Sequence, residues 1–391
     1  MPSDSRDLVR RALRFESPAR IPRQLWVLPW FETRFADATG RLRERFPDDI
    51  VGAASPYRPS PRRSGDPYRR GEYVDEWGCR FDNLHEGVIG EVKRPLVADL
   101  ADWRSAVRPP VETLPGNFAA ARAAVDRSCA ETPLFTLSGC CPRPWERYQF
   151  LRGTENALCD LMDPDANVRD MLRTIHEFHL RECEFWAGTH IDAIFFMDDW
   201  GAQRQSLIPP AVWRDLFKPM YRDYIDIAHA AGKFAFMHSD GHILAIVDDV
   251  VELGLDALNS QLFCMDMDEY ARKTRGKLTL WGEIDRQHVL ASTDPAEARA
   301  AVRSVAARFY DPRGGLVAQC EAGPGANPAA VDAVFDEWER VGGESAPPFP
   351  APDAMVIEAG GVNPEMARAC HDEYRKADPY ARRTGGPGDH A

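Results

Sequence analysis

The sequence predicts an α/β fold: a (β/α)8 TIM barrel carrying an N-terminal helix and a β-hairpin extension. Two patterns lead there. Short apolar strands alternate with helices from Leu134 onward, and polar residues gather where those strands end. The chain has 391 residues, 44% of them hydrophobic, enough for one barrel with extensions. No GxGxxG or GxxxxGK[ST] follows an early strand, which weighs against an open nucleotide-binding sheet.

In chain order, residues 4–15 read as a helix, with Ser3 or Asp4 as cap and Leu8, Val9, Leu13 and Phe15 near helical spacing. Residues 18–31 are proline-punctuated and contain Trp26 and Trp30, so they are expected to be extended. A basic Pro/Ser/Gly-rich loop covers 56–70. Segments 73–81 and 87–92 then pair as a hairpin outside the barrel wall. Wall strands follow at 134–137, 193–197, 233–237, 257–259, 278–281 and 315–319, with helices at 145–160, 164–187, 209–231, 243–253, 267–274, 294–309 and 329–341. This gives an arm and extension over 1–110, a barrel core over 111–342, and a Pro/Gly-rich tail over 343–391 with a short helix at 363–376.

The net charge of −13 argues against nucleic acid and against an anionic membrane surface, both of which need a basic face. Residues 1–15 are charged and lack the apolar core of a signal peptide, so a cytoplasmic location is expected. Nine cysteines, odd in number and without a CxxC, suggest neither a zinc ribbon nor a disulfide framework.

In a barrel, chemistry sits on the loops after the strands. Four strand ends here read Asp198-Asp199-Trp200, His238-Ser239-Asp240-Gly241, Glu283-Ile284-Asp285 and Cys320-Glu321. Polar groups at such positions are costly unless they coordinate, pair or meet solvent. His238, Asp240 and Cys320 offer N, O and S donors that zinc accepts, with Glu283 or water as a fourth ligand. The competing readings are a histidine bonded to Asp199 or Asp240, an Asp240 that caps a helix, and a packed Cys320 thiol. Asp198, Asp199, His238 and Glu283 are the candidates for proton transfer. Trp200 and Trp26 are candidate pocket walls. Arg143 and Arg147 are candidate clamps for a carboxylate, against the plainer reading of a solvated helix face.

Seven stretches in order, Tyr73-Val-Asp-Glu-Trp-Gly-Cys79, Phe150-Leu-Arg-Gly-Thr-Glu-Asn156, Asp198-Asp-Trp-Gly201, Ala228-His-Ala-Ala-Gly232, His238-Ser-Asp-Gly241, Trp281-Gly-Glu-Ile-Asp285 and Asn327-Pro328, carry a resemblance. The chain resembles the uroporphyrinogen decarboxylase superfamily, most of all its methylcobamide:thiol (corrinoid) methyltransferase branch. The resemblance implies zinc held by a His-x-Cys pair and a later cysteine, a methylcorrinoid as methyl donor, and a corrinoid protein as partner. His238 and Cys320 match two of those ligands, and Asp240 stands where the first cysteine is expected. The decarboxylase branch implies an arginine-lined N-terminal motif. Here Arg23-Gln-Leu-Trp-Val-Leu-Pro29 has one arginine, a poor host for uroporphyrinogen. The leading expectation is therefore a zinc-assisted methyl or alkyl transferase acting on a small molecule or thiol. The alternatives are a metal-free decarboxylase or lyase of a smaller carboxylic acid, and a degenerate small-molecule binding protein. A homodimer paired through the N-terminal arm is a further expectation.

Overall fold

Strands buried on both faces need apolar side chains pointing inward to the barrel and outward to a helix layer, and the wall strands supply both. The computed structural model describes residues 4–342. Eleven strands are present among them: β1 (Arg23–Val27), β2 (Ile50–Gly52), β3 (Gly71–Val74), β4 (Arg80–Asn83), β5 (Glu91–Arg94), β6 (Phe135–Leu137), β7 (Ala193–Met197), β8 (Phe234–Ser239), β9 (Ala257–Ser260), β10 (Thr279–Trp281) and β11 (Leu316–Ala322). Eight of them form one parallel sheet in the order β1-β11-β10-β9-β8-β7-β6-β2, a nearly closed barrel. No helix among the described residues is long and apolar enough to cross a membrane.

The ends of this sheet, β1 and β2, meet without a regular ladder, and polar bonds bridge them. The Asp49 amide donates to the Arg23 carbonyl at 2.9 Å. Leu25 N–H donates to Asp48 Oδ1 at 2.7 Å, and Gln24 Nε2 donates to the Ile50 carbonyl at 3.1 Å. Gln24 also accepts from the Trp281 indole at 3.0 Å, so one side chain ties three strands inside the barrel.

Inside, Phe135, Phe236, Trp281 and Val317 pack with Val9 and Leu13 of the helix Ser5–Arg14. Arg6 and Arg10 anchor that helix on buried Asp192 at 3.1 and 2.6 Å, closing the end where the strands begin. At this end of a barrel such contacts serve stability.

The wall thus starts at Arg23. The arm expected over 1–110 contributes two of the eight strands, because β1 hides in the proline-punctuated stretch and β2 is only three residues long. The expected hairpin is a three-stranded antiparallel sheet, β3-β4-β5, since Asp75 turns the chain inside the 73–81 segment by accepting from the Trp77 and Cys79 amides. Trp77 packs edge-on against Phe178 and Phe81 against Phe150, docking this sheet on the helices Pro144–Arg152 and Ala166–Ala187. Two expected helices are each broken in two, into Pro144–Arg152 and Thr154–Met162, and into Pro210–Leu216 and Lys218–Ala230. The tail over 343–391, with its expected helix, lies outside the described residues.

Candidate active site at the strand ends

Side chains alternate along a strand, so parity decides which residues face the barrel axis. On β11, Val317 joins the interior cluster, Gln319 accepts from Asn259 Nδ2 at 3.0 Å, and Glu321 pairs with Arg286. The even residues Leu316, Ala318, Cys320 and Ala322 belong instead to the large core between wall and helices. Cys320, expected as a metal ligand, therefore lies on the wrong face. It is fully buried, and burial pushes its thiol far up, away from the thiolate a metal needs.

The same parity brings His238 inward. Its Nδ1 meets Asn259 Oδ1 at 2.5 Å, its partner across the β8–β9 ladder, which fixes the ring. The Nε2 atom faces two carboxylates, Asp240 Oδ1 at 3.4 Å and Asp199 Oδ1 at 3.6 Å. Burial works to lower the imidazole pKa, but Asp240, Asp199, the Asn259 bond and Glu283 together raise it above the ordinary value. The Trp26 ring lies 5.5 Å from that imidazole, centroid to centroid, and forms a wall beside it.

Backbone packing holds the two aspartates together. Gly201 and Gly241 lie face to face, and a Cβ on either would come within 2.1 Å of the other loop's backbone. Gly241 also has φ +78°, which favours glycine. This approach lets Gly201 N–H donate to the Asp240 carbonyl at 3.0 Å and the Asp240 amide donate to Asp199 Oδ1 at 2.9 Å. Asp199, His238 and Asp240 present ligand atoms all within 4.8 Å of one another, the one such group among the described residues.

Arg286 completes this side. It reaches Asp240 at 2.6 Å, Glu283 Oε1 at 3.1 Å and Glu321. Glu283 is 2% exposed, and its second oxygen, Oε2, has no hydrogen-bond partner. Burial pushes its carboxyl up to about 8, against the pull of Arg286 and with the help of Asp240 and Glu321. Four carboxylates thus share one imidazole and one guanidinium, a set with spare negative charge. Sequence reasoning missed Arg286 and Asn259. Only the alternation of β9 could have pointed to Asn259, and nothing in a loop position marks Arg286.

Two other candidates leave the reactive set. Asp198 is fully buried and accepts from the Trp145 amide (2.9 Å), the Glu146 amide (2.8 Å) and the Tyr221 hydroxyl (2.6 Å), so it holds the start of the helix Pro144–Arg152. Trp200, expected as a pocket wall, is 1% exposed, stacks on Trp145 and donates its indole N–H to Tyr221 at 2.7 Å. It lies in the core.

Beyond Asp198, a cavity of about 370 Å³ opens beside the end of β6, under the antiparallel sheet. Both arginine candidates line it. Arg147 is already committed, paired with Asp75 and standing 3.5 Å from Glu76, with its guanidinium over the Trp77 ring. Arg143 is freer. Its Nη2 touches Cys141 Sγ at 3.3 Å, and Glu146 stands 3.9 Å away without a hydrogen bond.

A methyltransferase from Methanosarcina mazei is similar in structure, with a TM-score of 0.59 and 14% identity over 86% of this chain and 98% of that one. At that identity the likeness speaks for the fold. A D-psicose 3-epimerase is a weaker likeness, with a TM-score of 0.32 and 14% identity over 66% of this chain and 84% of that one. No curated protein matches the sequence. Residues 75–341 match the family described as Uroporphyrinogen decarboxylase (URO-D), which is well over half of the chain, and the protein belongs to that family.

Proposed function

We propose that this chain is a metal-assisted methyl or alkyl transferase of its family, acting on a small molecule or thiol, with a methylcorrinoid on a partner corrinoid protein as methyl donor. The observation that carries it is the meeting of His238 Nε2, Asp199 and Asp240 beside the unpartnered Glu283 Oε2. These donors fit a divalent cation such as zinc: one imidazole and two carboxylates, with surplus negative charge around them. His238, Asp199 and Asp240 would hold it, with Asp199 taking the place expected of Cys320. When bound, the ion supplies Lewis acidity to a substrate oxygen or sulfur.

The chain's own groups do the rest. Asn259 keeps His238 Nε2 aimed at the site, and Arg286 orients Asp240. Burial raises the Glu283 carboxyl, which makes it the group placed to give a proton to a leaving atom. Trp26 shields the imidazole from water.

The test is metal analysis of the purified protein with a methyl-transfer assay. About one divalent ion per chain is expected, lost in His238→Ala. Full activity in metal-free protein would overturn the reading. The raised Glu283 carboxyl favours one second reading, a metal-free lyase that protonates a carbanion after loss of CO₂. Release of CO₂ from small carboxylic acids by chelator-treated protein would support it.

A further inference from the structure

The cavity beside β6 has a composition unlike that of the carboxylate cluster. Four arginines and three carboxylates line it, together with tyrosine, tryptophan and phenylalanine side chains. Asp75 and Glu76 both face Arg147, and Glu182 is bonded to His179 Nδ1 at 2.8 Å. Arg143, whose side chain is 30% exposed, bonds Cys141 Sγ at 3.3 Å and pairs with Glu146 only at 3.9 Å, so among the described residues no carboxylate accepts a hydrogen bond from it. One buried donor there has no partner: Arg147 is 6% exposed, and its Nε has none. Buried donors without acceptors are costly, and an anionic acceptor satisfies them best.

The walls set the rest of the ligand. Tyr57, Trp77 and Phe178 give flat apolar faces, and about 370 Å³ suits a small single-ring molecule. The position of Arg143 links the cavity to the proposed reaction site. Pro142 accepts from the Met197 amide at 3.0 Å, and Trp145 N–H donates to Asp198 at 2.9 Å, so the chain between them runs along the end of β7, next to Asp199.

We propose that this cavity binds the carboxylate of a small aromatic acid, with Arg143 as the anion clamp and the ring among Tyr57, Trp77 and Phe178. The proposal rests on the transferase reading for its meaning as a substrate site, but its test does not need turnover. Calorimetric titration of the full chain in chelator-containing buffer uses benzoate, neutral benzamide of the same shape, and acetate. Saturable benzoate binding is expected, with benzamide and acetate each at least about tenfold weaker. Arg143→Gln is expected to weaken benzoate at least about tenfold while leaving benzamide within about twofold, and His238→Ala is expected to leave benzoate binding unchanged. Equal binding of benzoate and benzamide, no saturable benzoate binding, or a preference that survives in Arg143→Gln would each overturn the proposal. Should Arg143→Gln fail to fold, the benzoate–benzamide ratio on the unaltered protein decides alone. Loss of metal binding with benzoate binding intact would break the transferase reading and spare this one.

Discussion

Two sides of the barrel mouth have opposite needs. The side built by β8 to β11 gathers Asp240, Glu283 and Glu321 around one arginine, so a cation would relieve it. The side by β6 holds Arg143, whose ion-pair partner Glu146 stands 3.9 Å away without a hydrogen bond, which leaves its guanidinium open to an anion. The seam between them falls inside a dipeptide. Asp198 turns into the wall and is saturated by three donors, while Asp199, with 36% of its side chain exposed, turns toward His238. Neighbours of the same type thus have unlike duties, one holding a helix and one facing the His238 imidazole.

The sharpest way to break this contrast is His238→Ala, which removes the imidazole that Asp199 and Asp240 face. Divalent-ion affinity should fall more than roughly 100-fold in a metal titration, since even outer-shell partners cost ten- to a hundredfold. Unchanged affinity would place the ion elsewhere. Next in size is the aspartate pair. Asp198→Ala should cost roughly 2–4 kcal/mol in urea unfolding, because it strands two helix amides and a tyrosine hydroxyl. Asp199→Ala should stay within about 1 kcal/mol yet weaken metal binding. Equal costs would erase the distinction between the two positions.

The third is a pH effect. The Glu283 carboxyl is raised to about 8 by burial, above its ordinary value of 4.5, so the folded state holds its proton more tightly than the unfolded chain. Its contribution is fully present below pH 4.5 and is lost as pH rises through 8. Melting temperature should therefore decline over this window, and Glu283→Gln should flatten the decline. His238, also raised, acts in the same direction and remains in that variant. The smallest effect is expected from Cys320→Ala: about 1 kcal/mol of stability from lost packing, with metal affinity unchanged. A large loss of affinity would return the sulfur to the ligand set.

Much of the wall was legible because its later strands are continuous apolar runs bounded by polar loops, as in Ala193–Met197. β1 and β2 were not, since three to five residues beside prolines carry too little periodicity. The site divides in the same way. His238 and Asp240 were readable from their strand-end position. The ligand role expected of Cys320 failed on parity, because one residue along a strand reverses the face, and Val317 and Glu321 already held the inward positions. The packed duty of Asp198 depends on Tyr221 and on the start of the helix Pro144–Arg152, partners far away in sequence.

The gap between β1 and β2 has a consequence for how the barrel comes apart. Seven neighbouring strand pairs share parallel ladders, whereas this one leans on the side chains of Arg23, Gln24, Asp48 and Asp49 and on a single amide of Asp49. It is the loosest stave of the cask, so amide protons nearby should exchange with deuterium ahead of those in β8 and β9. Because Trp26 sits on β1 against the imidazole, opening there would wet the face that carries His238 before the rest of the protein unravels.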